Sequence, residues 1–162
     1  MSNAKDNEFF LPYPQGKTQQ KLLGARLILI RGLPGSGKST FANHLVDWLE
    51  EFHATKAYHW EADMWMLNAN GEYEYRQEWL AKAHGDCQTA ARLTVTSNRI
   101  AIVSNTFVRL WELQPYLAIT QHCVVLKMSN AYGSNHNVPQ DAMERMASKW
   151  ENFEGEIDAS NW

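Results

Sequence analysis

Hydrophobic positions along this chain fall into short unbroken runs separated by longer stretches with helical spacing. Arg26–Arg31 (RLILIR), Ala57–Glu61 (AYHWE), Ile100–Ser104 (IAIVS) and His122–Met128 (HCVVLKM) have strand length and no polar alternation, the pattern of strands buried on both faces. Between them, Lys38–Phe52 sets Phe41, Leu45, Trp48 and Phe52 on one helical stripe. Tyr75–Val95 does the same with Trp79, Leu80, Ala83, Cys87 and Ala91. Trp111–Thr120 predicts a helix made irregular in its first half by Pro115. Pro139–Asn152 predicts a helix with proline in its first turn and a stripe of Met143, Met146 and Trp150. Strands alternating with helices predict an α/β fold: a three-layer α/β/α sandwich around a parallel sheet of four or five strands.

The remaining segments are connections and ends. Residues 1–24 are polar apart from Phe9–Pro14 and read as an arm laid on the surface. Residues 25–155 form the domain, 156–162 a tail, and Ser129–Val138 is a loop rich in glycine and asparagine. A chain of 162 residues fits one domain with a proper core. Its formal charge of −3 argues against a dedicated binder of long polyanions. Two cysteines, Cys87 and Cys123, make neither a disulfide framework nor a metal-ligand pattern, which points to a reduced, cytoplasmic setting. No stretch approaches the ~20 apolar residues that span a bilayer, so no membrane partner is expected. The N-terminus lacks the basic-then-apolar pattern of a secretion signal.

The chemistry concentrates after the first strand. Gly32-Leu33-Pro34-Gly35-Ser36-Gly37-Lys38-Ser39, followed by Thr40, satisfies G-x-x-x-x-G-K-[ST], the phosphate-cradling P-loop. Its glycines let successive backbone N–H groups point at phosphate oxygens, and the following helix adds its positive N-terminal end. In such a loop Lys38 reaches the β- and γ-phosphates and the Ser39 hydroxyl ligates Mg²⁺. The loop follows an apolar strand and opens an amphipathic helix, as the mechanism requires. A nucleoside triphosphate with Mg²⁺ is therefore the expected ligand. Asp63 follows the second strand, beside the P-loop strand, where a carboxylate faces the phosphate crevice. It can accept a proton from an acceptor hydroxyl or hold Mg²⁺ through water.

With these features in place, the order of motifs resembles the polynucleotide-kinase-like P-loop family. The motifs are RGLPGSGKST, Glu61-Ala62-Asp63, Gly71-Glu72-Tyr73, Ala83-His84, IAIVSNT (Ile100–Thr106), Trp111-Glu112 with Pro115-Tyr116, and His136-Asn137-Val138-Pro139. The resemblance covers about residues 26–152. It implies a P-loop NTPase fold, transfer of the γ-phosphate of ATP to a hydroxyl, and Asp63 as general base. The implied acceptor is a 5′-hydroxyl nucleic acid end, single-stranded, or a small alcohol. Two departures stand out. Met66 replaces the arginine with which the phage enzyme grips its acceptor's phosphate. Ser104-Asn105-Thr106 lacks the family's usual third-strand aspartate, although Asn105 and Thr106 are expected to line the site.

Other positions carry two readings. The family places a cation in a lid after the last strand, so Arg145 is a candidate for the γ-phosphate; its other reading is an i,i+4 pair with Asp141. Lys149 and Arg109 read more simply as solvated. His136 in the lid loop can touch phosphate or base, or be solvated. His84 reads as a core histidine, and otherwise as an acceptor contact. Trp65 reads as core, and otherwise as a stacking platform. A nucleotide-dependent switch, or a slow NTPase using water, is the alternative to a kinase.

Overall fold

The computed structural model describes residues 14–52, 56–133 and 136–162. Its elements in chain order are α1 (Lys17–Leu23), β1 (Leu27–Arg31), α2 (Lys38–Phe52), β2 (Ala57–Trp60), α3 (Leu80–Thr96), β3 (Ile100–Asn105), α4 (Leu110–Leu117), β4 (Cys123–Lys127), α5 (Gln140–Ser148) and β5 (Ile157–Asp158). The five strands form one sheet in the order β2-β3-β1-β4-β5. Every pairing is parallel. The predicted three-layer α/β/α sandwich is therefore the observed fold, with five strands.

β1 explains why the sheet is covered twice. Leu27, Ile28, Leu29 and Ile30 are all fully buried, and their side chains alternate between faces. Ile28 and Ile30 pack with Phe41, Leu45 and Leu49 of α2. Leu27 and Leu29 pack with Cys87 and Ala91 of α3 and Leu113 and Tyr116 of α4. Burying each such side chain stabilises the fold by about 1.5–3 kcal/mol, so β1 anchors the loop that follows it.

Several boundaries differ from the sequence reading. Lys17–Leu23, read as part of an arm, is a helix docked through fully buried Leu22. The Phe9–Tyr13 patch lies outside the described residues. The tail supplies β5, Ala159 is buried, and Trp162 meets the Phe41 ring edge-on at 5.9 Å. Pro115 sits inside α4, whose first turn stays regular because Glu112 accepts the Arg109 N–H at 2.7 Å.

Arg31 closes β1 and is wholly buried. Its Nη1 meets Glu156 Oε2 at 3.0 Å, and Nη2 donates to the carbonyls of Phe107 (2.6 Å) and Glu151 (2.8 Å). The guanidinium lies 4.1 Å from the Trp150 ring centroid. Phe107, buried with φ of 47°, is a left-handed non-glycine residue whose carbonyl also accepts from Arg31 Nε at 3.1 Å. One arginine thus fixes the turn after Asn105-Thr106 and binds the C-terminal segment to the P-loop strand.

Candidate functional site

The P-loop bridges β1 and α2. Gly35 (φ 79°) and Gly37 (φ 88°) take left-handed conformations that favour glycine. Gly32 is needed for a different reason: a Cβ there would stand 2.5 Å from the Met128 carbonyl oxygen and 2.5 Å from Ser36 Oγ. The loop opens onto a cleft of about 740 Å³. Around it lie Gly35, Lys38, Ser39, Thr40, Glu61, Asp63, Asn105 and Thr106, brought together from three separate stretches of the chain.

Lys38 Nζ donates to the Leu33 carbonyl at 2.9 Å, inside its own loop. Burial lowers its pKa to about 8, with Glu61 and Asp63 partly opposing the shift. The sign of the consequence follows from linkage. Below about 8 the lysine is protonated and attracts the triphosphate; above it the proton is lost in the free protein. Affinity for ATP is expected to be flat up to about pH 8 and then to fall by up to about tenfold per unit, measurable by calorimetric titration. The same group makes the fold gain stability as pH rises from about 8 towards the ordinary lysine value of 10.5, because there the unfolded chain binds the proton.

Ser39 Oγ donates to Glu61 Oε2 at 2.6 Å. Ser104 Oγ donates to the same oxygen at 3.0 Å, and His59 Nε2 stands 2.6 Å from Ser104 Oγ. Since the serine proton goes to Glu61, His59 presents Nε2–H to the serine. Burial lowers the His59 pKa, with Glu61 opposing. The carboxylate hydrogen-bonded to the Ser39 hydroxyl is therefore Glu61, while Asp63, the sequence's metal candidate, lies against His136. A hydroxyl and a carboxylate are hard oxygen donors of the type Mg²⁺ takes, together with phosphate oxygens and water. Among the described residues no group of three or more His, Cys, Asp or Glu could hold a metal by itself. Glu61→Gln is expected to weaken Mg²⁺ dependence of nucleotide binding by about 10–100-fold while leaving metal-free ATP binding near wild type. A Mg²⁺ titration at fixed ATP measures it.

Asp63 stands on the one-turn 3-10 helix Ala62–Trp65 that follows β2. Asn105 Oδ1 accepts the Ala62 N–H at 2.9 Å and so sets that turn's position. Asp63 Oδ2 lies 3.3 Å from His136 Nε2, and the His136 ring stacks on Tyr73 with centroids 3.9 Å apart. Burial raises the Asp63 pKa, with the His136, Lys38 and His84 charges opposing it and Glu61 adding to it. A carboxylate whose pKa is raised is a stronger base for a hydroxyl proton. His84 lines the same cleft rather than sitting in the core, and burial lowers its pKa, with Glu112 and Asp63 opposing.

The loop after β4 lies over the P-loop. Tyr132 N–H donates to the Gly35 carbonyl at 2.7 Å, and its ring stands 3.0 Å from where a Cβ on Gly37 would be. Arg145 does not join the site: its Nη1 bonds Asp141 Oδ2 at 2.8 Å on an exposed helix face, the i,i+4 reading. Arg109 pairs with Glu151 at 2.8 Å. Trp65 packs on Trp60, and Met66 is 1% exposed. Sequence reasoning missed Glu61 and Tyr132. The signal for Glu61 was its place two residues beyond His59, on the same side of one strand.

Fold and site together define a P-loop kinase-like domain that binds nucleoside triphosphates. Residues 27–131 match the profile of an AAA-domain family (AAA_33), and the chain belongs to that family. Over 101 residues it is 34% identical to human NEDD4-binding protein 2, covering 61% of this chain and 5% of that protein. The chain therefore spans a small fraction of that relative's length. Among solved structures, Kti12 of Chaetomium thermophilum with ADP-AlF3 superposes with a TM-score of 0.60 at 16% identity, covering 78% of this chain and 80% of the other. A gluconokinase from Sinorhizobium meliloti gives a TM-score of 0.55 at 14% identity, covering 86% and 84%. These likenesses show the fold. No helix among the described residues is long and apolar enough to cross a membrane.

Proposed function

We propose that this domain is an ATP-dependent phosphotransferase that moves the γ-phosphate to an acceptor hydroxyl, on a 5′ nucleic acid end or a small alcohol. The observation that carries this reading is the division of labour between two carboxylates. Glu61 takes the Ser39 hydroxyl at 2.6 Å, which leaves Asp63, farther along the same turn, facing the cleft for an acceptor. A second carboxylate not engaged by Ser39 is placed to take the proton of an attacking hydroxyl.

In this mechanism the loop amides and Lys38 hold the triphosphate, and Lys38 leaves the Leu33 carbonyl to reach the phosphates. Thr40 and Thr106 line the phosphate side of the cleft. Mg²⁺, bound by Ser39, Glu61 and the phosphates, would neutralise charge that builds on the leaving oxygens. Asp63 orients the acceptor hydroxyl and takes its proton as the new P–O bond forms in line with the departing ADP. His136 has to yield Asp63 to the acceptor. Cys87 and Cys123 are free thiols, which suits a reducing, cytoplasmic setting.

A second reading, a slow NTPase or nucleotide-dependent switch, is favoured by one observation: no arginine lines the cleft among the described residues. The experiment is incubation with γ-labelled ATP and Mg²⁺ in the presence of 5′-hydroxyl oligonucleotides or small alcohols, with Lys38→Ala as control. A labelled phosphomonoester absent with Lys38→Ala supports the phosphotransferase. Label in inorganic phosphate alone supports the second reading.

A further inference from the structure

The charges around the acceptor half of the cleft distinguish the two acceptor classes. A nucleic acid end brings a phosphodiester next to its 5′-hydroxyl, and such groups are held by Arg, Lys or clustered N–H donors. Among the described lining residues the only lysine is Lys38, which the triphosphate occupies, and there is no arginine. Three carboxylates line the same space: Glu61, Asp63 and Glu112.

Cations nearby are committed elsewhere. Arg76 Nη2 lies 2.6 Å from Glu74, and its guanidinium covers the Trp79 ring at 4.8 Å. Arg109 pairs with Glu151 and Lys82 with Asp86. Met66, where the phage enzyme has its phosphate-gripping arginine, is buried and does not face the acceptor.

The same half of the cleft has the makings of a cation site. Tyr73 and Tyr75 line it and are 37% and 59% exposed. The protein's own His136 ring already sits there, stacked on Tyr73 and paired through Nε2 with Asp63. An aromatic face beside a carboxylate is the arrangement that takes an ammonium group. Glu112 lines the cleft on the His84 side. One of its oxygens accepts the Arg109 N–H, and its charge acts on His84 at the cleft wall.

We propose that the acceptor is a small hydroxyl compound carrying a protonated amine that displaces the His136 ring, its ammonium then held by Glu112 and the Tyr73–Tyr75 face and its hydroxyl presented to Asp63. This rests on the phosphotransferase reading above. The acceptor oxygen bonds to the γ-phosphorus of ATP, the bond from that phosphorus to the β,γ-bridging oxygen breaks, and ADP leaves. The hydroxyl proton passes to Asp63 and then to solvent. The amine keeps its proton and takes no part in bond making.

The test uses the full chain, γ-labelled ATP and Mg²⁺. A cell metabolite extract is split by ion exchange into cationic, neutral and anionic fractions, and a 5′-hydroxyl oligonucleotide is assayed beside them. A labelled phosphomonoester should form from the cationic fraction. Selective N-acetylation of that fraction should cut its formation at least about tenfold, the order expected when one charged contact is lost. Glu112→Gln keeps an oxygen for the Arg109 N–H, so its melting temperature should match wild type. It should raise KM for the cationic fraction by about tenfold with ATP affinity unchanged. Label in the oligonucleotide, in the anionic or neutral fraction only, or in an ester insensitive to acetylation and to Glu112→Gln overturns the proposal. ATP binding with no labelled ester from any acceptor instead overturns the phosphotransferase reading, and this inference falls with it.

Discussion

Asp63→Asn is expected to lower kcat for phosphoryl transfer by about 10²–10⁴-fold, the usual contribution of a positioned general base, with KM for ATP near wild type. The asparagine keeps the shape and can still touch the acceptor hydroxyl, but it cannot take the proton. Binding of ATP should survive because Lys38 and the loop amides hold the phosphates, and because the Ser39 hydroxyl meets Glu61 rather than Asp63. The split between kcat and KM is the informative part. A variant that loses ATP affinity and keeps kcat would place Asp63 on the metal instead and reassign the base. Steady-state kinetics with saturating acceptor decides between them. The substitution also alters the contact between Asp63 and His136, so single-turnover measurement should accompany it to separate chemistry from movement of the loop.

Arg31→Met is expected to produce the largest loss of stability. The guanidinium is fully buried and serves Glu156, two carbonyls and the Trp150 ring. Methionine fills much of the volume but leaves a carboxylate and two carbonyls without their donor. Removing one partner of a buried pair costs about 3–5 kcal/mol, which for a chain of this size corresponds to a fall of about 6–20 °C in Tm. Glu156→Gln, at a side chain 13% exposed, keeps an acceptor for Nη1 and should cost much less. Thermal unfolding followed by circular dichroism measures both. A fall under about 2 °C for Arg31→Met would contradict the role given to this residue. Because Arg31 also holds the Phe107 carbonyl, just beyond Asn105 and Thr106, the variant should weaken ATP binding at temperatures where it remains folded.

The layers of the fold were legible in the chain because β1 and β3 carry unbroken apolar runs, buried at every position, which only a sheet covered on both faces buries. β5 was not, since a two-residue strand carries no period of its own and exists through its pairing with Leu126 and Lys127. α1 was hidden likewise: one buried leucine docks it. Lys38 and the loop glycines follow from local backbone chemistry, so their positions were readable. Glu61 was harder, because a glutamate ending a strand looks like any solvated end until β3 brings Ser104 alongside. Arg31 shows the same limit more strongly. An arginine closing an apolar run reads as a solvent-facing end, and its partner Glu156 is 125 residues away. Arg145 went the other way: with Asp141 one turn before it, the local pair prevailed over the cleft.

The central claim is tested most directly by following where the γ-phosphate goes. With γ-labelled ATP, Mg²⁺ and saturating acceptor, ADP and labelled phosphomonoester should appear in near-equal amounts, and both should fall together in Asp63→Asn. ADP released with all of the label in inorganic phosphate, at a rate that Asp63→Asn leaves unchanged, would contradict the account and make water the only acceptor.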